Sequence, residues 1–146
     1  MTGTTYHFPD DRWYAANHMW ARLEPTTGRV VIGIDTLGLA ALGDLAYISL
    51  HAVGTPVKRG EAIGVFEAAK MTGDVVVPVS GMLVERNEQA LRDPLLVNSD
   101  PYGQGWLAVI EPTDWEHESA ALISGSALPA WVAAESERYR AQGWID

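Results

Sequence analysis

Residues 53–84, "VGTPVKRGEAIGVFEAAKMTGDVVVPVSGMLV", decide how the chain is read. Runs of four to seven residues carrying Val, Ile and Phe are cut by Gly and Pro, the punctuation of short strands joined by turns. That spacing predicts a small all-β sandwich rather than a βαβ fold. Midway, Lys70 stands between the apolar Ala69 and Met71. A lysine there is ordinarily a solvated charge at a strand end; a chemical attachment point is the alternative.

Upstream, Arg29–Ile34 and Leu45–Leu50 read as strands. Between them Asp35 is a suitable N-cap for a short helix over Thr36–Leu42, with Gly43 as its stop. Downstream, Pro112-Thr-Asp-Trp-Glu predicts a helix running towards Ile123, with Gly125 and Pro129 as punctuation. A second helix is predicted from Trp131 to about Gln142. With no low-complexity linker, residues 1–146 read as one domain: a β core over about 14–112 and a helical tail over about 113–143.

An internal echo divides the β core. Gly54-Thr-Pro-Val57-Lys-Arg59-Gly60-Glu61 aligns with Gly81-Met-Leu-Val84-Glu-Arg86-Asn87-Glu88, as Gly-x-x-Val-x-Arg-(Gly or Asn)-Glu. Gly60 and Asn87 suit a left-handed turn position. The echo is either two similar hairpins or a module of two pseudo-symmetric halves with Lys70 in the hairpin that joins them.

Composition narrows the function classes. A net charge of −9 argues against nucleic acid, which needs clustered Lys and Arg, and suits docking on basic surfaces. No run approaches the roughly 18 apolar residues of a membrane helix. Met1–Trp13 lacks the basic start and apolar core of a signal peptide, so a cytoplasmic location is expected. Cysteine is absent, which excludes disulfides and thiolate sites; redox chemistry has to arrive on a cofactor. The four histidines have no metal-ligand spacing, and no nucleophile sits with a base, so neither a metal nor a catalytic site of its own is expected. Six tryptophans without a basic groove read as core and interface anchors. Lys58 and Lys70 are the only lysines, which leaves a modified lysine few competitors.

Gly54 lies 16 residues before Lys70 and Gly81 lies 11 after it. In this the chain resembles the lipoyl and biotinyl carrier domains, where a lysine at a hairpin tip receives the cofactor. "YAANHMW", "GIDTLGLAALGDLAYISL", "VGTPVKRGEAIGVFEAAK", "PVSGMLVERNEQ" and "LVNSDPYGQGWL" follow in the order seen in glycine-cleavage H proteins. The resemblance implies a mainly β, lipoyl-domain-like hammerhead (a barrel-sandwich hybrid) with a short helix in its first half and C-terminal helices. It implies lipoate on Lys70, Gly54 and Gly81 as hairpin framework, and a cofactor shuttle without catalysis of its own. A flexible stem on a rigid tip suits such an arm, and tethering raises its effective concentration at a docked partner.

Departures from the family pattern qualify the role. Glu67 matches the glutamate of the lipoylation motif, as a ligase-recognition element or a solubilising charge. Ala69 and Met71 give "A-K-M" in place of "S-V-K-A", leaning towards the biotin carriers and keeping biotin as a minor alternative. In the family a "HEW" glutamate and an acid four residues after the lysine line the cleft that shelters the aminomethyl arm. Asp74 keeps the second acid, but the first is replaced in His18-Met19-Trp20. His18 either borders this cleft or is a satisfied structural histidine. Losing a carboxylate beside a cationic cargo at Met19, together with the divergent Ala69-Lys70-Met71 hairpin and a Trp-containing tail, favours the related lipoate-binding proteins of sulfur oxidation. Partners would then be a lipoate ligase or lipoyl synthesis enzymes and a heterodisulfide-reductase-like complex. The alternative is the glycine-cleavage role, with its decarboxylase, aminomethyltransferase and dihydrolipoamide dehydrogenase. A third reading is an unmodified interaction module.

Overall fold

A computed structural model describes residues 6–146; the first five residues of the Met1–Trp13 stretch lie outside the described residues. Among the described residues nine strands form two antiparallel sheets. They are β1 (Trp13–Tyr14), β2 (Met19–Leu23), β3 (Val30–Ile34), β4 (Leu45–Leu50), β5 (Pro56–Val57), β6 (Ala62–Ala68), β7 (Thr72–Val76), β8 (Gly81–Arg86) and β9 (Ala108–Pro112). The larger sheet runs β1-β2-β3-β9-β8-β5 and the smaller β4-β6-β7, so β7 is an edge strand. Among the described residues no helix is long and apolar enough to cross a membrane.

Alternation along β3 shows how one strand serves two cores. Val30, Ile32 and Ile34 enter the main core with Ile63, Val75, Leu83 and Ile110. Val31 points the other way, into a cluster with Tyr14, Trp20 and Leu128. The second cluster is closed by helix α5 (Leu128–Ala141), so the tail is packed on the sheet.

The first helix, α1 (Thr36–Leu42), has the expected bounds for the expected reasons. The Asp35 side chain accepts from Gly38 N–H, and Gly43, at φ +78°, bonds back to Leu39 O. Other expectations are corrected. Two short helices, α2 (Glu88–Arg92) and α3 (Leu95–Ser99), were not foreseen. The helix expected from Pro112 to Ile123 is only α4 (Trp115–Ser119). Ile123 is instead bridged to Tyr14 by paired backbone bonds of 2.8 and 2.9 Å. Helix α5 begins three residues before Trp131, with Pro129 in its first turn, where the missing N–H costs nothing.

The echoed segments turn out to be neighbours: β5 and β8 pair, with Val57 opposite Gly81. Gly54 and Gly60 take positive φ (+95° and +86°), but Asn87 does not. Asn87 has φ −82° and caps α2, its carboxamide donating to Gln104 O and Trp106 O at 2.7 Å each. Its side chain thus makes one bond within its own helix and two to a distant segment, which a left-handed turn residue would not supply.

At Gly81 an added Cβ would sit 2.0 Å from Glu111 O on the neighbouring strand, and neither backbone can yield without breaking the β8–β9 ladder. Gly81→Ala is expected to lower the unfolding free energy by about 2 kcal/mol or more, measured by urea denaturation.

Candidate functional site: the Lys70 hairpin and its cleft

Lys70 sits at the tip of the β6–β7 hairpin, exposed together with Ala69 and Met71. The tip is closed by a 2.9 Å bond from Ala68 N–H to Met71 O. Two-residue hairpin loops usually require positive φ, yet neither Ala69 nor Lys70 has it. The tip is braced from outside instead. Ala69 N–H donates to Asp44 O and Lys70 N–H to Leu42 O, both at 2.9 Å, at the end of α1. Lys70 Nζ donates to Ala40 O at 2.8 Å, one of the carbonyls a helix leaves unpaired in its last turn. Gly43 makes this docking close: a Cβ there would lie 3.3 Å from Lys70 Cγ. Among the described residues Lys70 has no carboxylate partner.

Beside the tip opens a cleft of about 770 Å³. Its floor includes Met19, Ile34 and Phe66, one side is the β7 edge from Gly73 to Val76, and Lys70 and Met71 stand at its mouth. Tyr139, Gly143 and Trp144 of the tail also line it. Asp74 is the only acid along it among the described residues. A long, flexible hydrocarbon chain on Lys70 fits this place: the amine is exposed, and the adjoining walls are mostly apolar.

The sequence-identified residues separate into three groups. Met19 and Asp74 lie along the cleft with Lys70 and Met71. Glu67 is exposed on β6 between Tyr47 and Thr72, so it belongs to the outer face of the small sheet, with the half-exposed Tyr47. Gly54 and Gly81 are turn and strand-contact positions away from the cleft. His18 is the third case. It is 1% exposed and lies behind the cleft, in a left-handed conformation (φ +69°) that histidine tolerates better than most residues.

His18 joins three parts of the molecule. Its Nδ1 lies 2.7 Å from Asp35 Oδ2 and its Nε2 lies 2.8 Å from Glu135 Oε1. Trp131 stacks on the ring at 5.0 Å and Tyr139 meets its edge at 4.9 Å. Burial pushes the His18 pKa down and the Asp35 carboxyl up. For His18 the hydrogen bonds and charges of Asp35 and Glu135 outweigh burial, and its pKa is raised. Glu135 is held low, first by its hydrogen bond from Arg138, which keeps it ionised. The imidazolium fits, because it alone donates from both nitrogens at once.

Gly43, Tyr139 and Trp144 were not identified in sequence as site residues. Gly43 had a local signal, the helix stop, but its contact with the Lys70 stem is tertiary. The unusual "YRAQGWID" ending marked the tail without saying where it folds.

Comparison with known proteins gives one consistent result. The family model described as glycine cleavage H-protein matches residues 12–135. A glycine cleavage system H protein of Thermus thermophilus is 43% identical over 117 residues, 80% of this chain and 90% of its own. One from Anaeromyxobacter is 38% identical over 124 residues, 85% and 94% of the two chains. The crystal structure of a glycine cleavage system H protein from Mycobacterium marinum superposes with a TM-score of 0.76 at 35% identity, covering 89% of this chain and 99% of the other.

The pH dependence of the His18 bridge follows from its raised pKa. Its stabilisation is complete below the unfolded value of 6.5 and is lost as pH rises through the higher folded value. His18→Asn, which keeps the left-handed backbone accessible, is expected to be about 3 kcal/mol less stable than the parent at pH 6. The deficit should shrink as pH is raised above the folded pKa, in urea titrations of both proteins across that range.

Proposed function

The chain belongs to the glycine-cleavage H-protein family, and from that premise we propose that it is the lipoyl carrier of a glycine cleavage system, modified on Lys70. As a member of that family it is a cofactor-carrying shuttle and not a catalyst, and its cofactor is covalent lipoate. The observation that carries the assignment to Lys70 is its position: an exposed amine on a braced hairpin tip, opening onto an apolar cleft.

When bound, the lipoyl group supplies a disulfide–dithiol pair able to accept an aminomethyl group and to be reoxidised. The protein's own residues do the rest. Two backbone bonds fix the tip, so a ligase meets the amine at a defined place. The Ala40 carbonyl holds Nζ as a charged donor; after acylation the amide N–H is still a donor, but the charge is gone. Met19, Ile34 and Phe66 make the cleft floor apolar. Asp74 offers a negative charge to a cationic cargo, which a partly dry cleft strengthens. Glu67, Ala69 and Met71, exposed around the lysine, are the surface a lipoate ligase would read.

Partners on this reading are the glycine-cleavage decarboxylase and aminomethyltransferase, dihydrolipoamide dehydrogenase and a lipoate ligase, in the cytoplasm. The preference drawn from Met19, Ala69, Met71 and the tail, for a sulfur-oxidation carrier and a heterodisulfide-reductase-like partner, gives way. The family model and the relatives compared above all bear the glycine-cleavage description. One observation keeps the sulfur role as a second reading: the cleft offers Asp74 but no second acid among the described residues.

Protein co-expressed with its lipoate ligase is expected to carry one lipoyl adduct by intact mass, absent from Lys70→Arg and unaffected by Lys58→Arg. A biotin-sized adduct, or none, would overturn the assignment. With glycine decarboxylase, the modified protein is expected to support glycine–bicarbonate exchange; failure beside an active control H protein would favour the sulfur role.

A further inference from the structure

The family model ends at residue 135, yet three residues along the cleft come after it. Helix α5 continues to Ala141 and closes in a two-bond C-terminal motif. Gly143 N–H donates to Arg140 O at 3.1 Å and Trp144 N–H donates to Tyr139 O at 3.0 Å. Gly143 takes the left-handed conformation the motif requires, at φ +76°. The motif's apolar contact is present too, with the Trp144 indole edge-on to the Tyr139 ring at 5.1 Å.

Each anchor bears on where Trp144 ends up. Ile145 is buried with Leu37 and Tyr139, tying the last turn to α1. Glu135 and Tyr139 hold His18, whose neighbour Met19 forms part of the cleft floor. Arg138 lies over both tail rings, 5.0 Å from Tyr139 and 5.8 Å from Trp144. Thus Trp144 is firmly placed, yet 45% of it stays exposed. A tail held at these points leaves an indole half open beside the cleft, available to an apolar group in reach. The candidate in reach is the chain on Lys70, which lines the same cleft.

We propose that Tyr139 and Trp144 form the resting wall for the modified Lys70 arm, with Trp144 a positioning residue that packs against the arm's hydrocarbon and sulfur end. The occupant is apolar and sulfur-bearing, and both properties suit an indole face. Arg138 over the same ring disfavours a second cation there, which leaves Asp74, the acid along the cleft, as the counter-charge for an amine cargo. The wall and the acid thus divide the arm between them. This inference rests on lipoylation of Lys70.

The test uses full-length protein loaded by its ligase with ¹³C-enriched lipoate and verified by intact mass. Absence of the adduct would fail the lipoylation reading itself; everything below concerns protein that carries it. Lipoyl proton resonances are expected to be displaced by ring current relative to free lipoamide, with cross-relaxation to the Trp144 indole in the parent protein. Trp144→Ala should return them towards the free position, and Trp144→Phe should retain part of the displacement. Alkylation of the reduced arm by iodoacetamide should be faster in Trp144→Ala by about three- to tenfold, the range that sulfur–aromatic contacts can account for. Lipoyl resonances at free-lipoamide positions in the parent protein, or resonances and alkylation rate unchanged in Trp144→Ala, would overturn the proposal.

Discussion

The buried carboxylate of Asp35, with no solvent exposure, is the point from which the site hangs. A charge so placed is tolerable only when fully paired, and it accepts from Gly38 N–H and from His18. The first bond starts α1, whose far end braces the Lys70 tip. The second fixes His18, and through Glu135 it holds the tail helix against the sheet. One side chain therefore sets the position of the lysine, the residue before the cleft floor, and the cleft's aromatic side. Among the described residues no buried side-chain nitrogen or oxygen lacks a partner, so the network is closed.

The tip itself illustrates how a carrier can present a lysine without specialised turn chemistry. Asn-Gly or Gly-x would define the hairpin locally. "AAKM" does not, and the chain substitutes three bonds to the carbonyls of Ala40, Leu42 and Asp44. The exposed side chains around the lysine are then not needed to shape the turn. This gives Ala69 and Met71 a physical latitude that the sequence pattern alone suggested was a change of pathway.

What was legible in the sequence was local. The bounds of α1 came from a side-chain cap and a glycine adjacent in sequence, and the place of Lys70 in a hairpin came from strand punctuation around it. What was not legible depended on distant partners. α2 and α3 are five-residue helices with too few positions for a periodic pattern; their buried Ala90 and Val97 join the main core. Asn87 looked like a turn residue because its two carbonyl partners lie 17 and 19 residues away. The place of Trp144 depends on a helix end, an isoleucine anchor and a histidine 126 residues upstream. Met19 was legible as a lost acid, but its neighbour's role as a bridge to the tail was not.

The β7 edge, finally, bears on how the protein behaves in a crowd. An unpaired strand edge is a template on which another chain can add itself. Here Tyr139 and Trp144 line the same cleft as the edge from Gly73 to Val76, and Asp74 sets a charge on it. An incoming strand would have to contend with the tail and, in lipoylated protein, with the arm on Lys70. On the proposed function, a resting arm would cover this edge, so that cargo storage and protection against edge-to-edge pairing would draw on one surface.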